Sequence, residues 1–301
     1  MPRIVSLVSS ATEIVDALGQ ISHLVGRSHE CDYPPAVLSL PVCTRPRIPI
    51  DAPSAEIDRM VRESARTSIS IYDVFDDLID SLAPTHILTQ IQCEVCAVSR
   101  RDVELALARG MKSRPDIVSL QPDSLSAIWD DVRRVAASLG IPKRGEEVVA
   151  GLQARMEALH RDPSNGPSVA CIEWIDPLMA AGNWTPELIE IAGGRNLFGQ
   201  AGRHSPWMTW DELAAADPDV IVIAPCGFDL PRTIRELPPL TSHPGWTDLR
   251  AVRTGRVYAA DGNQYFNRPG PRIVETLQIL TEMLYPNGET FLPRGAAWQA
   301  L

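Results

Sequence analysis

PKRGEEVVAGLQARMEALHRD, residues 142–162, decides how the rest of the chain is organised. Val148, Val149, Leu152, Met156 and Leu159 recur at helical spacing, Glu146 and Glu147 suit a positive first turn, and Pro163 is a stop. The spacing predicts a single helix over 142–162, about 30 Å long at ~1.5 Å per residue. Taken alone, such a stretch is an ordinary surface helix. Its special place comes from what lies on either side, because the sequence before it repeats in outline after it.

Before it, RIVSLVSSATEIVDALG (3–19) reads as an apolar strand, a polar loop, Thr12 as N-cap, a short helix and Gly19 as a stop. After it, SVACIEWIDPLMAAGNWTPELIEIAGG (168–194) runs in the same order, with Thr185 as cap, Pro186 at the first helical position and Gly193-Gly194 at the end. SLAPTHILTQIQCE (81–94) is echoed by AAADPDVIVIAPCG (214–227). Apolar runs near 4–8, 24–26, 69–71, 86–89 and 117–120 alternate with helical patterns near 12–18, 54–65, 73–83, 100–110 and 124–139. The later half alternates likewise, with strands near 168–173, 220–224 and 256–260, and residues 286–301 read as a tail packed on the surface. That alternation predicts an α/β fold of two Rossmann-like lobes with mostly parallel sheets: an N-terminal lobe over 1–141, a linking helix over 142–162 and a C-terminal lobe over 163–301.

At 301 residues and 45% hydrophobic content the chain can bury two cores. A formal charge of −10 argues against nucleic-acid and anionic-membrane surfaces, which need clustered Lys and Arg. No run approaches the ~18 apolar residues of a spanning helix. The first strand begins near Arg3, so the expected location is cytoplasmic as written, or periplasmic if a signal peptide has been removed.

Open parallel sheets place ligand-facing loops at the carboxyl ends of their strands. Those loops, at 28–34, 90–97, 174–184, 203–210, 225–229 and 261–268, collect His29, Tyr33, Trp174, Trp184, Trp207, Trp210, Phe228, Tyr265 and Phe266 in a chain that is only 6% aromatic. An aromatic surface with a few polar groups suits a large, flat, partly apolar ligand. Trp129 and Trp246 sit in patterns that predict core packing.

Signs of catalysis are sparse. There is no Gly-x-Ser-x-Gly elbow, Walker loop or HExxH, and GGRNLFG (193–199) follows a helix rather than joining strand to helix. Glu13, His29, Glu30, Asp32, Glu94, Glu173, Asp176 and His204 have acid–base chemistry, but nothing in the sequence links them, and caps and solvated loop charges account for them as well. Of the six cysteines, Cys31 lies in SHECDYP (28–34), and Cys93 and Cys96 in QCEVCAV (92–98). If these two loops emerge side by side, His29, Cys31, Cys93 and Cys96 have the donor types of a tetrahedral zinc site, as a metal-dependent enzyme would use; filling space beneath the loops is the plain alternative.

IVSLVSSATEIVDALG followed by LVGRSHECDYP resembles the opening of substrate-binding proteins of ABC importers for cobalamin, siderophores and haem. PWMTWDELAAADPDVIVI and GNQYFNRPGPRIVETLQIL are similar to the cobalamin-binding branch. The resemblance covers nearly the whole chain and implies two lobes bridged by one long helix, the class III helical-backbone fold, with the ligand cleft between the lobes. It implies a monomeric, non-enzymatic binder of a cobalamin-like corrinoid, working with an ABC permease or as a soluble intracellular binder, with haem or an iron-siderophore as the alternative ligand. By position it implies ligand contacts at Tyr33, Trp207 and the 265–268 run of Tyr265, Phe266, Asn267 and Arg268. His29, Cys93, Glu94, Cys96, Trp174 and Trp184 join them as cleft candidates, and the loop thiols could equally meet the cobalt of a corrinoid. Glu56 and Glu212 sit where the family's permease-docking carboxylates would be, although exposed glutamates at helix starts look the same.

Overall fold

The computed structural model describes residues 1–67, 70–91, 104, 112–292 and 295–301. Cys93, Glu94 and Cys96 lie outside the described residues, as does nearly all of the helix expected near 100–110. The chain divides into two compact units. One comprises Met1–Ala52, Arg59–Pro122 and Ser126–Gly151, the other Pro53–Asp58, Asp123–Leu125 and Leu152–Leu301.

The first unit holds β1 (Ile4–Ser6), β2 (Leu24–Arg27), β3 (Thr44–Pro46), β4 (Tyr72–Val74), β5 (His86–Gln90) and β6 (Asp116–Leu120). Four of these form a parallel sheet in the order β2-β1-β5-β6. Val5, Leu7 and Ile87 pack with Cys43, Ile71, Tyr72 and Ile79 in its core. The strand expected at 69–71 lies instead at Tyr72–Val74 and pairs antiparallel with β3, off the main sheet. Charge pins that pair: Arg45, directly opposite Asp73, and Arg47 approach its carboxylate at 2.7 and 2.6 Å. Thr12 is not the N-cap of the first helix. That helix runs Ser9–Ala17 with extended Val8 before it, and Thr12 turns its hydroxyl inward to within 2.9 Å of Ser6 Oγ.

The long helix is shorter than its apolar spacing predicts. It spans Pro142–Glu157, about 24 Å at ~1.5 Å per residue, and the division between the units falls within it, after Gly151. Pro142 opens it, so Glu146 and Glu147 fall one turn later than expected, where they pair with Arg133 and Arg144 at 3.1 and 3.2 Å. After Glu157 the N–H groups of Ala158, Leu159 and His160 still bond back to Ala154, Met156 and Glu157 O; Arg161 N–H then donates to Ile191 O, and the Asp162 carboxylate accepts from Ser164 N–H.

The second unit carries β7 (Ser168–Trp174), β8 (Met179–Ala180), β9 (Arg195–Asn196), β10 (Val220–Ile223), β11 (Val257–Ala260) and β12 (Trp298–Ala300). The sheet runs β12-β11-β10-β7-β8, with β9 also against β7. Only β8 and β12 are antiparallel to their neighbours. All four residues of β10, VIVI, are buried, as befits a central parallel strand covered on both faces. Ala170, Ile172, Ile221, Ile223 and Val257 form a core with Leu213, Leu240 and Trp246. Thr185 is the first residue of the Thr185–Ile191 helix rather than its cap. The chain end packs onto the sheet as an edge strand. β12 pairs Ala300 with Tyr258, and the buried Glu282 carboxylate accepts the Trp298 indole N–H at 2.8 Å together with the backbone N–H groups of Phe291 and Leu292.

Candidate functional site

In the first unit the loop after β2 is built around Arg27, whose guanidinium donates to the carbonyls of Ser28 and Cys31, both at 3.1 Å. Cys31 is fully buried beneath it, with Thr12 Oγ1 at 3.0 Å and Ser28 Oγ at 3.2 Å from its sulfur. Burial pushes its thiol up, so the sulfur stays protonated and hydrogen-bonded. His29 places Nδ1 2.8 Å from Thr44 Oγ1 and its ring 5.4 Å from that of Tyr72. Burial, reinforced by the Arg27 charge, lowers its pKa to about 4, so the ring is neutral at physiological pH and its 3.9 Å approach to Glu30 is not then an ion pair. Tyr33, at the end of the same loop, is 37% exposed. The four-residue zinc set is thus half outside the described residues, and among the described residues no group of three or more His, Cys, Asp or Glu is arranged to hold a metal ion.

In the second unit the loop after β11 is set by close packing. A Cβ on Gly262 would lie 2.1 Å from Pro225 O, so only glycine lets this loop settle on the end of β10. Asp261 caps the turn through Gln264 N–H at 2.7 Å, and Asn267 Nδ2 donates to Ala224 O and Gly262 O at 2.9 and 3.1 Å. Asn267 therefore braces the loop. Arg268 is buried, with Nη2 3.3 Å from Asn263 Oδ1, while Tyr265 is partly exposed with the Arg272 guanidinium 5.3 Å from its ring centre.

The aromatics expected to line a ligand surface divide into two kinds. Trp184 (6% exposed) and Phe266 (2%) are interior, the Trp184 indole N–H donating to Phe266 O at 3.1 Å. Phe228 is buried between Trp174, ring centres 5.2 Å apart, and the Arg232 guanidinium at 3.9 Å. Trp210 stacks on His243 at 3.9 Å. Trp207, by contrast, is 54% exposed. It rides on a segment paired to β8 by hydrogen bonds from Ala180 N–H to Pro206 O and from Met208 N–H to Leu178 O. Beside it opens a cavity of about 400 Å³ lined by Leu197, Phe198, Arg203, His204, Pro206 and Met208 among others.

Beneath that segment lies a network around Glu173, one of the acid–base candidates that nothing in the sequence linked to a partner. Glu173, at the carboxyl end of β7, accepts the Ser205 hydroxyl at 2.9 Å, and Ser205 Oγ accepts the Gly182 N–H at 3.1 Å. Burial raises the Glu173 pKa to about 7, with Ser205 and the His204 charge opposing it. A carboxylate in the otherwise apolar run SVACIEW was the one available signal. Of the two glutamates at helix starts, Glu56 is exposed at the start of Ser54–Thr67, and Glu212 reaches back to its own cap residue, Thr209.

Two units, each built on a mostly parallel sheet, with one division between them falling inside a helix, define a two-part α/β architecture. A family model described as periplasmic binding protein matches residues 95–263, more than half of the chain, and the chain belongs to that family. The vitamin B12-binding protein of Vibrio cholerae is 22% identical over 281 residues, 92% of this chain and 86% of that protein. Among solved structures, the periplasmic heme-binding protein RhuT from Roseiflexus sp. RS-1 matches with a TM-score of 0.69 and 26% identity, over 95% of this chain and 98% of that one. The periplasmic vitamin B12-binding protein BtuF of Vibrio cholerae matches with a TM-score of 0.65 and 21% identity, over 94% and 96%.

Proposed function

We propose that the chain binds a cobalamin-like corrinoid, as the ligand-capturing component of an ABC-type uptake system, and that its work is binding rather than turnover. The observation that carries this reading is Trp207, a large apolar side chain more than half exposed beside a cavity of about 400 Å³. A surface of that kind suits the face or edge of a large flat ligand. Tyr33 offers a similar surface on the first unit. The vitamin B12-binding relative, alignable along 92% of the chain, supports the corrinoid. Haem is the second reading, favoured by the likeness to a heme-binding protein at 26% identity. The place of work we infer is the family's, outside the cytoplasmic membrane; among the described residues no helix is long and apolar enough to cross one. Glu56 and Glu212, one at the start of each of two helices, are the carboxylates we assign to permease docking.

Calorimetric and visible-absorption titration with cyanocobalamin and with haemin tests the reading. Saturable 1:1 binding of cyanocobalamin, tighter than that of haemin, is expected. Preference for haemin would transfer the assignment to haem, and absence of binding to either would overturn it.

A further inference from the structure

Residues 203–208 lie across the end of β7 and β8, and the approach is backbone to backbone: a Cβ on Gly182 would lie 2.6 Å from Arg203 O and 2.7 Å from Ser205 N. Asn183 N–H donates to Arg203 O at 2.6 Å, and Gly202 N–H to Asn183 O. Ser205 is buried, as is Met208 at the end of the segment, and the Ser205 hydroxyl joins Gly182 on one side to Glu173 on the other.

We infer that Glu173 is a positioning residue for Trp207, its ionised carboxylate holding Ser205 and with it the 203–208 segment, and its protonation releasing them. The inference rests on the reading of Trp207 as a ligand contact. Hydrogen bonds to a charged acceptor are roughly twice as strong as neutral ones, so the held and released states differ in energy. The titratable groups facing Glu173 are few. Cys171, on the same strand, is pushed far up by burial and stays a neutral thiol. His204, from the held segment, acts against the burial effect: its charged form favours the ionised carboxylate. Cys226, after β10, meets Glu173 through its backbone N–H, which donates to Glu173 O at 3.1 Å. With its pKa raised to about 7 by burial, Glu173 changes charge inside the physiological range, which an exposed glutamate does not do.

The test follows tryptophan emission of the ligand-free protein between about pH 5 and 9, in the wild type, Glu173→Gln, Ser205→Ala and Trp207→Phe. The wild type should show a transition near pH 7 that is absent in Glu173→Gln and in Trp207→Phe. Ser205→Ala should abolish it as well, because the hydroxyl that ties the segment to the carboxylate is gone. A flat wild-type profile, or a transition that survives in Glu173→Gln or Trp207→Phe, overturns the inference. Cyanocobalamin affinity should fall roughly three- to tenfold from about pH 8 to 6 in the wild type, the size of one weakened charge-assisted hydrogen bond, and stay level in Glu173→Gln. If no tetrapyrrole binds while the emission transition follows Glu173, the proposed ligand falls and the positioning role stands. If cyanocobalamin binds with the same pH profile in both proteins, the positioning role falls and the ligand stands.

Discussion

Thr209 and Glu212 cap one another. The Thr209 hydroxyl accepts the Glu212 backbone N–H at 3.2 Å, while Glu212 Oε2 accepts the Thr209 N–H at 2.7 Å and lies 2.8 Å from its Oγ1. This closes a reciprocal box at the start of the Trp210–Ala216 helix, directly after Trp207. Those hydrogen bonds hold the Glu212 carboxyl below its ordinary range, so it stays ionised at any physiological pH.

The cap gives Glu212 two separable tasks. Thr209→Ala should cost about 1 kcal/mol of stability, read by chemical denaturation. Glu212→Gln should keep the cap and the melting temperature while removing the charge proposed to meet a permease, and Glu56→Gln should likewise leave the melt unchanged. Loss of stability in Glu212→Gln equal to that in Glu212→Ala would assign the charge to the cap alone.

Trp207→Ala and Tyr33→Ala should each weaken cyanocobalamin binding by roughly 1–3 kcal/mol while leaving the melt within ~0.5 kcal/mol of wild type, because exposed rings contribute contact area rather than core. Normal binding with an early melt would make them packing residues.

Trp184 should behave in the opposite way. Its ring is interior and its N–H is bonded to Phe266 O, so Trp184→Ala should cost about 3–5 kcal/mol of stability, read from denaturant midpoints. An affinity loss without a stability loss would return it to the ligand surface.

Gly262→Ala should be among the most damaging small changes in the chain. Its new methyl would sit 2.1 Å from Pro225 O and 2.8 Å from Ala224 O, both backbone atoms with little freedom to retreat. A loss above about 2 kcal/mol is expected from thermal or denaturant melts, and a variant that melts with the wild type would show that the loop yields.

Glu173 also leaves a mark on stability. Its folded pKa is raised from 4.5 to about 7, so its contribution is fully present below about pH 4.5 and is lost as pH rises through about 7. Glu173→Gln should therefore gain on the wild type between pH 5 and 8, by up to about 3 kcal/mol at ~1.4 kcal/mol per unit. Asp131, buried beside Arg134 and raised to about 7 by burial, titrates in the same window. The difference between the two proteins, rather than either melting profile, is accordingly the measure.

Much of this was legible in the residues themselves. Strand and helix alternation, the repeat about residues 142–162 and the burial of Trp129 and Trp246 follow from apolar periodicity, a local property each segment carries with it. Gly19 and Gly193 announce helix ends because their positive φ suits few other residues. Tertiary structure decided what depends on partners distant in sequence. Only packing tells that Trp184 and Phe266 turn inward while Trp207, from a loop of the same kind, stays out. The long helix ends at Glu157, and a turn later Arg161 N–H donates to the Ile191 carbonyl, while Thr12 turns its hydroxyl inward to Ser6 and Cys31. Glu173 has the composition of an ordinary strand-end carboxylate; its raised pKa and its hold on Ser205 come from burial and from a residue 32 positions away, which no local pattern encodes.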